Sequence, residues 1–411
     1  MIQQELFPDS TPIGAWFYDT DIPDLNALGR QYLITDYGIK SDGRIYTREL
    51  QALIDTAAKS GGVIVIPRGV FLTGALFFSG KAHLYLEEGA ILKGSDDPSD
   101  YPVCQTRIEG ESCTYFPALI NVYNTDGFTL GGKGTIDGSG ERSWKAFWLR
   151  RAWNPDCTNK DEQRARLLFF QGCTNLCIYG LTLQNAQFWT THLYKCSRVK
   201  ILSCRILSPF APVPAPSTDA IDIDVCTDVL IKGCYMAVND DAVALKGGKG
   251  MCADTAPENG ANERIIIEDC EYGFCHGCLT CGSESVHNRN IIVRRVTVSE
   301  GYNFLWLKMR PDTPQLYELI RVEGIKGRIE HFININPWTQ FCRDEEVCPS
   351  VARDITVRDC DCECRVFVFG DDEMTGFELE NVRLENMRIR AAEHGAYLRG
   401  ISEENVALEI N

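Results

Sequence analysis

The run AVNDDAVALK sets two acids side by side, Asp240 and Asp241, and PSTDAIDID places a third, Asp219, 21 residues upstream of Asp240. Both runs read as buried parallel strands with the acids at the N-terminal edge, so stacked rungs would gather three carboxylates on one patch of sheet. Crowded carboxylates oppose one another's ionisation, which gives folding nothing. Acid–base chemistry gains from the crowding, because a carboxylic acid can then keep its proton near neutrality. Two further runs follow at similar intervals, CHG at 275–277 and WLK at 306–308. The steps from Asp219 to Asp240, to His276 and to Lys308 are 21, 36 and 32 residues, so with loops of variable length all four could share one face.

The elements that must position them follow from a repeat: apolar, x, apolar, x, x, apolar or Cys, x, apolar. It reads Leu176-Ile178-Leu181-Leu183, Val199-Ile201-Cys204-Ile206, Val229-Ile231-Cys234-Met236, Ile265-Ile267-Cys270-Tyr272 and Ile291-Val293-Val296-Val298. Late copies are Ile355-Val357-Cys360-Cys362 and Phe377-Leu379-Val382-Leu384. Copies start 22 to 36 residues apart, except for a long gap between 291 and 355. Alternation within each half copy is the strand period, and the two-residue break marks a sharp bend. Recurrence at this period predicts a parallel β-helix, with rungs ~4.8 Å apart stacking like residues into inward ladders. Cys204, Cys234 and Cys270 then share one ladder. A β-sandwich also has short strands and turns, but it lacks the bent double unit.

The fold class expected is therefore all-β, a single solenoid domain over residues 1–411, with rungs from 63 onward. Residues 1–62 form its N-terminal wrap and cap. Thr47-Arg48-Glu49-Leu50 starts like a capped helix with apolar Leu50, Leu53, Ile54, Ala57 and Ala58, and ends at Gly61-Gly62. An open solenoid end needs such a cap, and the segment before it is expected to wrap the same end. The stretches 100–123 and 144–166 read as long loops, which in compact folds tend to be functional.

Composition narrows the partners. A net charge of −16 argues against nucleic acid and anionic membrane, and no apolar run is long enough to span a bilayer. Any acidic substrate must be held by local cations. The start MIQQELFPDS lacks the basic and apolar regions of a secretion signal, giving an expectation of a cytoplasmic protein. Nineteen cysteines, an odd number placed at ladder positions, are expected to be reduced core residues. Cys275, Cys278 and Cys281 have ligand-like spacing, but they lie on a predicted rung and no fourth cysteine follows, so no metal and no cofactor is expected.

These motifs resemble those of the polygalacturonase-like glycoside hydrolases, family twenty-eight, whose signatures are NTD, (G/Q)DD, GHG and RIK. The resemblance extends to DYGIKSDG at 36–43, IPRGVFLTG at 66–74, LEEGAILKGS at 86–95 and GTIDGSG at 134–140. It implies a right-handed β-helix that hydrolyses α-linked galacturonic acid in pectin with inversion. Asp240 matches the general acid, and Asp219 and Asp241 match the pair that activates water. His276 matches the histidine supporting the acid, and Lys308 a cation holding a sugar carboxylate. Trp189 and His192 sit where the family places groove-lining residues. An inverting enzyme of the ordinary kind keeps acid and base ~6.5–9.5 Å apart.

Three positions depart from the pattern: Ser217 replaces the asparagine of NTD, Cys275 the first glycine of GHG, and Trp306 the arginine of RIK. The last loses a bidentate fork. Arg310, two residues past Lys308 and so on the same strand face, is the candidate replacement, and Trp306 is a candidate for stacking on a sugar. The long loops and the expected compartment favour an exo-acting enzyme on pectic oligosaccharides. Rival readings are a rhamnogalacturonan or rhamnoside hydrolase, a calcium-dependent pectate-lyase-like β-helix, and a non-catalytic carbohydrate-binding solenoid.

Overall fold

A computed structural model describes residues 4–342, 347–370 and 376–410 of the chain. Each strand pairs in parallel with its counterpart one rung on, giving three columns wound around one interior. The front column runs through Leu168–Gln171, Thr191–Tyr194, Ile221–Asp224, Val243–Lys246, Gly277–Gly282 and Asn303–Lys308. The repeat supplies the other two columns, as in Thr174–Tyr179 and Thr182–Gln184. Its apolar members line the core, Val229, Ile231, Cys234 and Met236 all being fully buried.

The bend expected between the half copies is made by one left-handed residue per rung. Gly180, Ser203, Gly233, Asp269, Arg295, Gly324 and Asp359 occupy the break with φ between +52° and +71°. Cys204, Cys234 and Cys270 stack thiol on thiol in the core. Cys275, Cys278 and Cys281 point into the same core, the first two with Sγ atoms 3.5 Å apart.

Helix α1 (Thr47–Ser60) caps the first rungs through Leu50, Leu53, Ile54 and Ala57. Thr47 is not its side-chain cap; its hydroxyl accepts the Gly74 N–H at 2.6 Å instead. The N-terminal segment departs in part from expectation. Its later part does pack at the capped end, Gln31–Leu33 pairing with Gly62–Ile66 and Leu28 covering Val63 and Val65, but its first part lies along the flank of the middle rungs, where Phe7, Ile13 and Phe17 cover Tyr179, Leu202, Leu230, Ile266 and Ile292. Those five residues face outward and apolar, so leaving them bare would forfeit burial worth ~25 cal/mol per Å².

The two inserts expected as loops have structure of their own. Cys104–Ile108 and Glu111–Tyr115 form an antiparallel hairpin turning at Glu109 and Gly110. Residues 141–153 form a helix, α2 (Glu141–Trp153), which buries only Trp144 and Phe147. So narrow an apolar stripe leaves little helical period to read. Among the described residues no helix is long and apolar enough to cross a membrane.

Candidate active site

The acids sit where the third column turns into the front one. Inter-rung bonds fix their spacing: Ala220 N–H to Asp241 O at 2.9 Å, Thr190 N–H to Asp219 O at 2.8 Å, and His276 N–H to Asp240 O at 2.9 Å. Asn239 pins its turn by donating to Ala215 O at 3.0 Å. Carboxylate oxygens of Asp219, Asp240 and Asp241 come within 4.8 Å of one another, as the spacing of the runs predicted. His276 Nδ1 lies 3.8 Å from Asp240 Oδ1, and Lys308 Nζ lies 3.4 Å from Asp241 Oδ2. Gly277 makes this crowding possible, since a Cβ there would lie 2.0 Å from Thr280 Oγ1 and 2.7 Å from Asp241 Oδ1.

Two more charged residues belong to the cluster, and sequence reading passed them over. Asp222 is fully buried with neither carboxylate oxygen hydrogen-bonded. Lys246 Nζ lies 3.3 Å from Glu284, 3.8 Å from Asp222 and 4.0 Å from Asp219. The strand period carried the signal: in IDID and AVALK the apolar residues face the core, so Asp222, Asp224 and Lys246 must face out. Burial, then the charges of Asp240 and Asp222, push the Asp219 carboxyl well above the usual range. Burial also raises Asp222, with Lys246 opposing and Asp241 and Asp240 adding. Burial likewise disfavours charge on Glu284, but Lys246 and Arg310 outweigh it and hold that carboxyl low.

A cavity of about 230 Å³ opens over this patch. Its wall includes Asp219, Asp240, His276, Lys308, Trp306 and Trp189, together with Trp338 from the loop after the next rung. One end is closed by α2, through Phe147, Trp148 and Arg151, and by the hairpin turn, whose Glu109 also lines the cavity. The turn sits hard on the rungs: a Cβ at Gly110 would lie 2.9 Å from Gly248 C and 3.0 Å from Glu284 Cβ. A larger cavity of about 780 Å³ lies beyond α2, lined by Asp96 and Glu141 but by none of the clustered acids.

Two of the residues expected at the site, His192 and Arg310, take different places. His192 is fully buried behind Trp189, 5.0 Å from that ring. Arg166 Nη1 lies 2.6 Å from its Nδ1, and since guanidinium only donates, Nδ1 accepts and Nε2–H faces Asp224 at 3.3 Å. Burial lowers this imidazole's pKa to about 4, so it stays neutral. The strand period does turn His192 outward, but the hairpin covers it, with Arg107 bound to Asp224 at 2.6 Å. Arg310 does not replace the lost arginine. The strand ends at Lys308, and the turn beyond it carries the guanidinium onto Asp312, at 2.7 and 2.6 Å, outside the cavity lining. Trp189 does line the cavity, but it is only 3% exposed between Phe188 and Lys246, which leaves little open face for stacking. Trp306 lines it too, with Lys308 Nζ 4.2 Å from its ring centre and 4.4 Å from that of Trp338.

Comparison with known proteins agrees with this arrangement. Residues 65–305 match the description Glycosyl hydrolases family 28. A probable polygalacturonase of Vitis vinifera is 27% identical over 66% of this chain and 49% of its own length, so the chain spans about half of that relative. An exopolygalacturonase of Platanus acerifolia is 22% identical over 71% of this chain and 70% of its own. The hyperthermoactive exopolygalacturonase of Thermotoga maritima superposes with a TM-score of 0.76 at 21% identity, covering 95% of this chain and 93% of the other. With the matched region running through the acids and the rungs that carry them, this right-handed parallel β-helix belongs to the glycosyl hydrolases of family 28.

Proposed function

We propose that the protein hydrolyses α-galacturonosyl bonds at the ends of pectic oligosaccharides by single displacement with inversion. The observation that carries this is the gathering of Asp219, Asp240 and Asp241 within 4.8 Å, with Asp219 and Asp240 on the wall of a cavity closed at one end. Among the described residues, the basic groups within 4.0 Å of Asp219, Asp222, Asp240 and Asp241 are Lys246, Lys308 and His276. Burial and the neighbouring acids oppose ionisation of Asp219 and Asp222. Asp240, half-buried on the cavity wall beside His276, donates a proton to the leaving oxygen. Asp219 and Asp241 hold the attacking water, and Asp241, 3.4 Å from Lys308 Nζ, takes its proton. The oxygens approach more closely than the ~6.5–9.5 Å of ordinary inverting enzymes, so water must enter from the cavity side.

A volume near 230 Å³ is below the ~300 Å³ floor of pockets that enclose drug-sized ligands, which suits a chain end better than a long stretch of polymer. Free, core-packed cysteines support a reducing, cytoplasmic setting in which short imported oligosaccharides are the substrate. Trp306 favours a second reading, with a neutral rhamnose beside the scissile bond. A calcium-dependent lyase is disfavoured because Lys246 and Lys308 already supply positive charge at the acids.

The test is product analysis on oligogalacturonides and rhamnogalacturonan oligosaccharides, with and without EDTA. Release of galacturonic acid that survives EDTA and is lost in Asp240→Asn, by about 10³-fold or more for a group acting in the transition state, is the expected result. Unsaturated products, or no cleavage of either panel, would overturn the proposal.

A further inference from the structure

Four cations line the cavity, Arg151, Lys246, Lys249 and Lys308, and they differ in what they already hold. Lys246 is engaged by Asp219, Asp222 and Glu284. Lys308 is engaged by Asp241 and two tryptophan rings. Lys249 has no ion-pair partner among the described residues, yet its charge is felt by Glu284 and Glu109. Arg151 shares that freedom among the described residues and, unlike Lys249, keeps a buried donor without an acceptor. No carboxylate among the described residues lies within ion-pair distance of it. Its Nη2 donates to Cys157 O at 3.3 Å and Asn159 Oδ1 at 3.0 Å, and its guanidinium lies 4.8 Å from the Phe147 ring centre. Its Nε is buried without an acceptor, and so is Trp306 Nε1 in the wall of the same cavity.

A buried donor left without an acceptor is costly, and two such donors on residues lining one cavity mark a ligand that brings oxygens. A planar guanidinium beside an aromatic ring, with Nε still unpaired, suits a carboxylate. We propose that Arg151 is the specificity-determining cation of this enzyme, binding the carboxylate of the terminal acidic sugar. It takes the part that Trp306 cannot play in the strand and that Arg310 has given to Asp312. The cation has thereby moved from a rung to α2, the element that closes the cavity. This inference rests on the proposed action on an acidic sugar.

The test is binding, which does not depend on turnover. Dissociation constants of digalacturonate and of its dimethyl ester are measured by calorimetry for the Asp240→Asn protein, with and without Arg151→Gln. The expected result is a loss of about 10- to 100-fold for the acid, the range of one charge-assisted pair, with the ester unchanged within about twofold. Equal losses on acid and ester would make Arg151 a support for its loop and overturn the proposal, as would no loss on either. If the Asp240→Asn parent binds neither ligand, the acidic-sugar reading itself falls and takes this inference with it.

Discussion

Asp222 shows in one residue how the site is balanced against the fold. Its carboxylate is fully buried, and among the described residues its oxygens accept no hydrogen bond and its cationic partner is Lys246, at 3.8 Å. Its pKa is raised by burial, so the folded protein keeps a proton that the unfolded chain releases above the ordinary value of ~3.9. The folded state binds more protons across that interval, so Asp222 costs least below the ordinary carboxylate range and more as pH rises toward its raised value. Asp222→Asn is therefore expected to stabilise the protein by about 1–3 kcal/mol near neutrality, with little gain near pH 4. Thermal unfolding of both proteins from pH 4 to 8 checks this, and a gain that does not grow with pH would contradict it. The raised carboxyls of Asp219 and Asp222 are the marks of function that composition alone could not display. The runs showed that acids would meet, whereas their desolvation depends on which neighbours cover them.

At the scale of elements, the hairpin and α2 close one end of the groove over the acids. The hairpin is latched by Arg107, which is 1% exposed, pairs with Asp224 at 2.6 Å and donates to Asn259 at 2.9 Å. Removing one partner of a buried pair costs ~3–5 kcal/mol, so Arg107→Met is expected to loosen the hairpin ahead of the rungs. Limited proteolysis should then cut within 104–115 first, and the products should shift from monosaccharide toward longer fragments. Cleavage of the hairpin with monosaccharide still the sole product would show that the hairpin does not set the exo mode. These inserts were the least legible parts of the chain, because neither repeats and α2 buries only two side chains. The rungs were legible wherever the repeat was intact. The copy missing between 291 and 355 is Ile320-Val322-Ile325-Gly327, masked because glycine stands at its last apolar position. Glycine is needed there: φ is +124°, and a Cβ would lie 1.8 Å from Val298 O.

At the scale of the molecule, stacking makes a rigid backbone template while leaving the loops free to vary. The four chemical runs lie 21 to 36 residues apart in sequence and on consecutive rungs in space, and this regularity is why fold and acids could be read before any coordinates. The regularity fails where strands stop. Arg310 follows the strand period on paper but lies beyond the strand end, and His192 obeys the period but is covered by an insert from another part of the chain. Net charge of −16 opposes an anionic substrate from a distance, so on the proposed function capture rests on a few cations inside the cavity.

The central claim is that three carboxylates this close still perform a single displacement. Proton NMR of the first minutes of oligogalacturonide hydrolysis, before the product mutarotates, tests it most directly. The account predicts β-galacturonic acid as the first anomer released, at a rate abolished in Asp240→Asn. Release of the α anomer first would mean that one of the aspartates attacks the sugar itself, and would contradict the account.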